Sequence, residues 1–299
     1  MTAHNTGRQS TNDKFICLQP KNSLIFPLPE NSRFPVSDED IMHYCAIVDL
    51  AYTNRIQKNY ALVYHGVHCS FVSLGQTLMP DGHIDNFLIP CFCRKLFEDK
   101  HPTKSGRHYF FSYVGESILD FSSSLHENIV RTSFLGAASA SKGKRLDLSD
   151  RLFFPICHLE HWFTFVVDFK WKLFAFLDSF YGPKSEYQLA VQEPLMKNFA
   201  ILWKKIFDTD EPDFKKFQVM FPNMPRQGNA HNCGVMTMKA MELFDPTKDL
   251  RKLFSDNDVC HIRIQYANSL FFHRGNKVDQ NVVTSFFDKE DFMRQLHPS

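Results

Sequence analysis

Three short apolar runs, Leu152–Cys157, Trp162–Val167 and Leu173–Leu177, follow one another with only a few residues between them. Each has strand length, and mainly apolar character over that length marks a strand buried on both faces. Two of them are joined by a tight connection. Helical patterns lie before and after the runs rather than alternating with them. The order helix, loop, strands, helix, strand, helix argues an α+β fold instead of a doubly wound sheet.

The flanking patterns are specific. Ser37-Asp38-Glu39-Asp40 starts a helix that continues through Ile41, Tyr44, Cys45 and Val48. Residues 60–74 read as strands broken at His65-Gly66. Ile84, Leu88, Cys91, Phe92 and Leu96 predict a helix with Pro90 in its first turn or kinking it. The Ser-rich stretch 116–150, with its GAASASKGKR segment, reads as a surface loop. Pro194 opens a helix carrying Leu195, Phe199, Leu202 and Ile206 on one face. Residues 208–213 form an acidic loop, and Gln218–Phe221 reads as a strand. A Pro-rich loop leads into Cys233 and a helix ending near Phe244. An amphipathic stretch from Val259 to Phe272 closes the fold.

Composition narrows the function. In 299 residues, 34 Lys and Arg nearly cancel 33 Asp and Glu, for a net charge of +1. That balance gives no support for a nucleic-acid or membrane-surface protein. No apolar run reaches a membrane span, and the polar N-terminus gives no secretory signal. The eight cysteines are scattered and form no disulfide framework. The natural setting is a reducing compartment, nuclear or cytoplasmic, where thiol chemistry is available. Neither Cys157-His158 with His161 nor Cys91-x-Cys93 has a second ligand pair at zinc spacing, so no metal site is expected.

The chemistry concentrates around one thiol. Cys233 follows Asn232, a good N-cap residue, and starts a helix whose positive dipole end favours thiolate. His161 begins one buried strand and Asp178 ends the next. With a turn at Phe169-Lys170 the two stand opposite each other, within reach of an imidazole–carboxylate hydrogen bond. A histidine beside a thiol can take its proton and later protonate a leaving amine. The Cys233 backbone N–H, with the side-chain amide of Gln227 six residues upstream, can hold a developing oxyanion.

HWFTFVVDFKWKLFAFLDS together with RQGNAHNCGVM resembles the SUMO-specific (ubiquitin-like-protein) proteases, papain-like cysteine peptidases of the adenain clan. Their pattern is His-Trp, then Asp-Ser about 17 residues on, then Gln-x5-Cys-Gly. His161-Trp162, Asp178-Ser179, Gln227 and Cys233-Gly234 match it. The likeness is strong over 146–245 and weaker over 74–115, and its overall look is closest to divergent plant members. It implies a central mixed sheet with the nucleophile at a helix N-terminus. It implies as catalytic residues His161, Asp178, Gln227 and Cys233, with Trp162 covering the Gly-Gly tail of the substrate. There are two departures. Asn232 stands where the family has Asp, and an Asp restored there is expected to be tolerated. His83 stands where the family has a second tunnel Trp.

The expected organisation is a flexible tail over 1–36, an N-terminal helix and strands over 37–73, a catalytic domain over 74–245, and a helical extension over 246–299. The expected activity is hydrolysis after the C-terminal Gly-Gly of SUMO or a related modifier, without a cofactor and without nucleic-acid or membrane partners. Rival readings are a catalytically silent module that binds a ubiquitin-like protein and, third, a thiol acyltransferase of the same clan.

Overall fold

The computed structural model describes residues 28, 29 and 31–296. The expected tail therefore lies mostly outside the described residues. Of its last part, Ser32 Oγ and the Arg33 N–H both donate to Asp258 at 3.0 Å, and Phe34 and Val36 pack on the core.

The N-terminal part begins with α1 (Asp38–Leu50), whose start is a reciprocal capping box between Ser37 and Asp40. A hairpin, β1 (Tyr60–Tyr64) and β2 (Val67–Ser70), turns at His65-Gly66 as expected. The strand expected to run to Leu74 ends at Ser70. The Ser70 hydroxyl accepts from the Ser73 N–H and caps α2 (Phe71–Leu78), and a capped backbone prefers helix there. The next helix, α3 (Leu88–Asp99), carries Pro90 in its first turn. A short α4 (Pro102–Ser105) leads to β3 (Arg107–Tyr109).

The stretch read as a surface loop over 116–150 is largely helical. It holds the second half of α5 (Ser112–Leu119) and all of α6 (Ser124–Ala140). Ser123 caps α6, and Val130, Phe134 and Ala138 recur every four residues on its buried face. The Ala-Ser composition that suggested a loop carries little helix penalty once one face is buried.

The three apolar runs are β4 (Arg151–His158), β5 (His161–Asp168) and β6 (Leu173–Leu177). They form the middle of a five-stranded sheet of order β3-β4-β5-β6-β7, with β7 at Gln218–Met220. The central pairs are antiparallel and both edge pairs are parallel, so the sheet is mixed and the fold is α+β, of papain-like type. Side chains alternate between two cores. Phe153, Trp162, Val166, Ala175 and Leu177 face one, and Phe154, Phe163, Phe165, Phe174 and Phe176 face the other. Burial on both faces is why these strands read as continuous apolar runs.

On the second face lies α7 (Glu186–Phe207). It starts eight residues before Pro194, capped by Ser185, and Pro194 sits in its interior. Burial of Val191, Leu195, Phe199, Leu202 and Trp203 against the sheet outweighs the one hydrogen bond a proline removes. On the first face lie α8 (Cys233–Leu243) and α9 (Val259–Phe271), with α1, α2 and α3. The C-terminal segment adds α10 (Asn281–Thr284) and α11 (Lys289–Leu296), whose Phe292 joins the same core. Residues 37–73 and 246–296 thus pack on the core that α8 enters. Among the described residues, no helix is long and apolar enough to cross a membrane.

Candidate active site

The register between β5 and β6 decides how His161 meets Asp178. Thr164 opposes Leu177 and Asp168 opposes Leu173, two residues away from the expected register. The connection is the four residues 169–172 rather than a two-residue turn. A two-residue turn needs positive φ at its centre, which Phe-Lys disfavours. Instead the Asp168 carboxylate accepts from the Trp171 N–H at 2.8 Å, and Lys172 takes the positive φ of 51°. A shift of two keeps every side chain on its expected face. His161 and Asp178 are not ladder partners, yet they project on the same side, just beyond the last pair.

There His161 Nε2 donates to Asp178 Oδ1 at 3.0 Å, with both residues buried. The Phe180 and Tyr181 N–H groups also donate to that oxygen, at 2.7 and 2.8 Å. Gln188 Nε2 donates to the other carboxylate oxygen at 2.6 Å. Gln188, fully buried in the first turn of α7, is a member of the cluster that sequence reasoning missed. The signal was present as Ser185-x-x-Gln188, a helix-start signature whose glutamine here reaches the carboxylate instead of the cap. The rings of Tyr181 and Tyr187 stand nearly perpendicular to the imidazole at centroid distances of 5.0 and 5.5 Å.

Cys233 is the first residue of α8 and lies within hydrogen-bonding reach of the His161 ring. With Nε2 committed to Asp178, Nδ1 is the ring nitrogen left for the sulfur. Burial pushes the Cys233 thiol up. Against burial act the hydrogen bond to His161, the Trp162 N–H, the imidazole charge and the Gly234 N–H, and together they hold the thiol below its ordinary value. For His161, burial lowers the pKa. The hydrogen bonds and charges of Asp178 and Cys233 outweigh it and raise the ring to about 9. Both shifts favour a thiolate–imidazolium pair. Other thiols move the opposite way: burial pushes Cys157 up to about 11 and Cys91 up to about 12.

Asn232 does not cap α8. Its backbone is already helical, and its side chain donates to Asp256 Oδ1 at 2.8 Å and accepts from Arg263 at 3.2 Å. A carboxylate at position 232 would face Asp256, a contact that the expectation of a tolerated Asp did not take into account.

Gln227 is held by Ser179, the neighbour of Asp178. Its N–H donates to Ser179 O at 3.1 Å and its Oε1 accepts from the Ser179 hydroxyl at 2.6 Å. Its Nε2 donates to Asn229 O at 2.7 Å and carries a second N–H. The amide is thereby oriented with its donors toward the turn that leads into Cys233.

Trp162 is buried, and its indole N–H donates to Ile84 O at 2.9 Å. His83, next to Ile84, is exposed, and its Nε2 lies 3.0 Å from Nδ1 of His231, two residues before Cys233. The structure therefore brings the loop around His83 and Ile84 over the start of α8. Gly234 permits that approach, since a Cβ there would lie 2.4 Å from the Ile84 Cβ. Gly234→Ala is expected to cost about 1–3 kcal/mol of stability by overpacking, read as a lower denaturant midpoint. Wild-type stability would mean that Ile84 is not fixed by this contact.

Among the described residues, no group of three or more His, Cys, Asp or Glu is placed to hold a metal ion.

The sequence model of the Ulp1 protease family, C-terminal catalytic domain, matches residues 116–278, just over half of the chain. No curated protein matches the sequence. Among solved structures, the chain is similar to the C-terminal Ulp1 protease domain in complex with Smt3, the yeast ortholog of SUMO. That match has 18% identity over 81% of this chain and 98% of the other, with a TM-score of 0.63. The catalytic domain of a Ulp1-like SUMO protease from Chaetomium thermophilum matches at 17% identity over 87% and 99%, with a TM-score of 0.62. The SUMO protease Ulp1 with its catalytic cysteine oxidized to a sulfenic acid matches at 18% over 82% and 96%, with a TM-score of 0.53. At these identities the likeness is one of fold.

Proposed function

This chain belongs to the Ulp1 protease family, and from that premise we propose that it is a cysteine peptidase acting after the C-terminal Gly-Gly of SUMO or a related ubiquitin-like protein. The observation that carries the reading is the buried series Cys233, His161 and Asp178, with the thiol lowered and the imidazole raised. The thiolate of Cys233 attacks the glycine carbonyl. The Cys233 N–H and the Gln227 amide hold the tetrahedral oxyanion. The His161 imidazolium gives its proton to the departing amine, either an α-amine or a lysine side chain, and a thioester remains. His161 then takes a proton from water, which attacks the thioester and frees the modifier. Asp178 fixes the ring throughout, itself fixed by Gln188 and two backbone N–H groups. The mechanism calls for no metal or cofactor.

In this reading the Gly-Gly tail enters between the Trp162 side and the lip that carries His83. The catalytic portion is residues 74–245, with 37–73 and 246–296 completing the core beneath it. Placement near divergent plant members, and in a nuclear or cytoplasmic compartment, rests on the sequence alone. The test is a panel of ubiquitin-like proteins, each carrying a C-terminal fluorogenic amide. Turnover of one or more, lost in Cys233→Ser, supports the reading. A folded protein that binds a modifier tightly and turns over none is instead a binding module of this fold.

A further inference from the structure

Arg263 lies within α9 and is almost wholly buried. Its Nη1 donates to Thr77 O at 2.8 Å and to Met79 O at 3.0 Å, carbonyls at the C-terminal end of α2. Its Nη2 donates to Gly82 O at 2.9 Å, His231 O at 3.1 Å and Asn232 Oδ1 at 3.2 Å. One guanidinium therefore ties together two segments distant in sequence. The first leads to His83 and Ile84, and the second supplies the peptide units that lead into Cys233.

The contact continues outward. Asn232 Nδ2 donates to Asp256 Oδ1 at 2.8 Å, and Asp256 Oδ2 accepts the Gly228 N–H at 3.0 Å. Gly228 follows Gln227. The series Arg263, Asn232, Asp256 and Gly228 thus reaches the backbone on both sides of the 227–233 turn. That turn carries Gln227 at one end and the Cys233 N–H at the other.

We propose that Arg263, Asn232 and Asp256 are a positioning relay that sets the two oxyanion donors and the lip over α8 in one geometry. The proposal rests on the peptidase reading. An oxyanion donor works only within about 2.7–3.1 Å of where charge develops, and misplacement by about 1 Å costs on the order of 10²-fold. The relay requires a side chain at 232 that donates to one neighbour and accepts from the other. An amide does both, and a carboxylate has no hydrogen to give Asp256.

The test is a swap. Asn232→Asp sets two carboxylates against each other and is expected to lower kcat by about 10–100-fold, with KM changed far less. Adding Asp256→Asn to it restores a donor and an acceptor at every contact. The amide introduced at position 256 would donate to the carboxylate introduced at position 232 and accept from the Gly228 N–H, and the total charge equals that of wild type. The double variant is expected within about threefold of wild-type kcat, the rescue a repaired geometry should give. If extra charge near the thiol were the whole effect, the double variant would stay as slow as the single one, because it keeps the carboxylate at position 232. Amide hydrogen exchange over residues 227–233 reads the relay without turnover. Exchange should quicken in Asn232→Asp and recover in the double variant. Unchanged kcat and exchange in Asn232→Asp, or a folded double variant no better than the single one, would overturn the relay. Exchange that quickens in Asn232→Asp and recovers in the double variant, with a wild type that turns over no modifier, would sink the peptidase reading instead.

Discussion

His161→Ala is expected to lower kcat by roughly 10²–10⁴-fold, the range contributed by a positioned general acid–base group. The same change should move the pH at which Cys233 becomes reactive. In the intact site, burial opposes ionisation of the thiol, and the hydrogen bond and charge of His161 act against burial. Without the ring, burial prevails and the thiol moves up. The rate of Cys233 alkylation by iodoacetamide, followed peptide by peptide, should therefore rise at higher pH in the variant than in wild type. Turnover by wild type should rise as Cys233 loses its proton, below the ordinary thiol range. It should fall as His161 loses its own near pH 9, because the leaving amine then finds no acid. An alkylation profile unmoved by His161→Ala would show that the imidazole does not control the thiol.

Gln227→Ala should lower kcat by roughly 10²–10³-fold, the usual scale for one oxyanion donor, while KM changes little. The reason is orientation. Ser179 holds the amide oxygen and the Gln227 backbone, and Asn229 O takes one Nε2 hydrogen, so the second is aimed without further cost. Gln227→Glu is the stricter variant, since it keeps the shape and removes the N–H. A wild-type kcat in either would mean that the oxyanion is held without this side chain.

Much of this was legible in the sequence, for identifiable reasons. The three central strands declared themselves because burial on both faces leaves the runs almost wholly apolar, with Thr164 the one hydroxyl among them. Their alternation also put His161 and Asp178 on one side, which survived an error of two residues in register. The register itself was hidden, because the turn at 169–172 is built on the Asp168 carboxylate and a positive φ at Lys172 instead of on glycine. The helices α5 and α6 were misread because Ala and Ser are as common in a helix packed on one side as in a loop. The start of α7 was misplaced because Pro194 looks like a first-turn proline, while the actual cap, Ser185, is marked only by Gln188. Asn232 read as a cap, since its local role is set by Arg263 and Asp256, residues more than twenty positions away. Arg263 gave no signal at all. A buried arginine is recognised only when the carbonyls that receive it are seen together.

The most direct test of the central claim is covalent capture. A ubiquitin-like protein whose C-terminal glycine is replaced by an electrophile should attach to the chain at Cys233, as read by intact mass and peptide mapping. Attachment needs a thiolate, and it needs the electrophilic carbon held about 3–3.5 Å from sulfur, which a docked tail supplies. Cys69, Cys91, Cys93, Cys157 and Cys260 are all pushed up by burial and lack a partner that lowers them below an ordinary thiol. One adduct per chain, at Cys233, absent in Cys233→Ser and retained in Cys157→Ser, is the predicted result. An adduct on another cysteine, or tight binding of the modifier with none, would contradict the assignment of Cys233 as nucleophile.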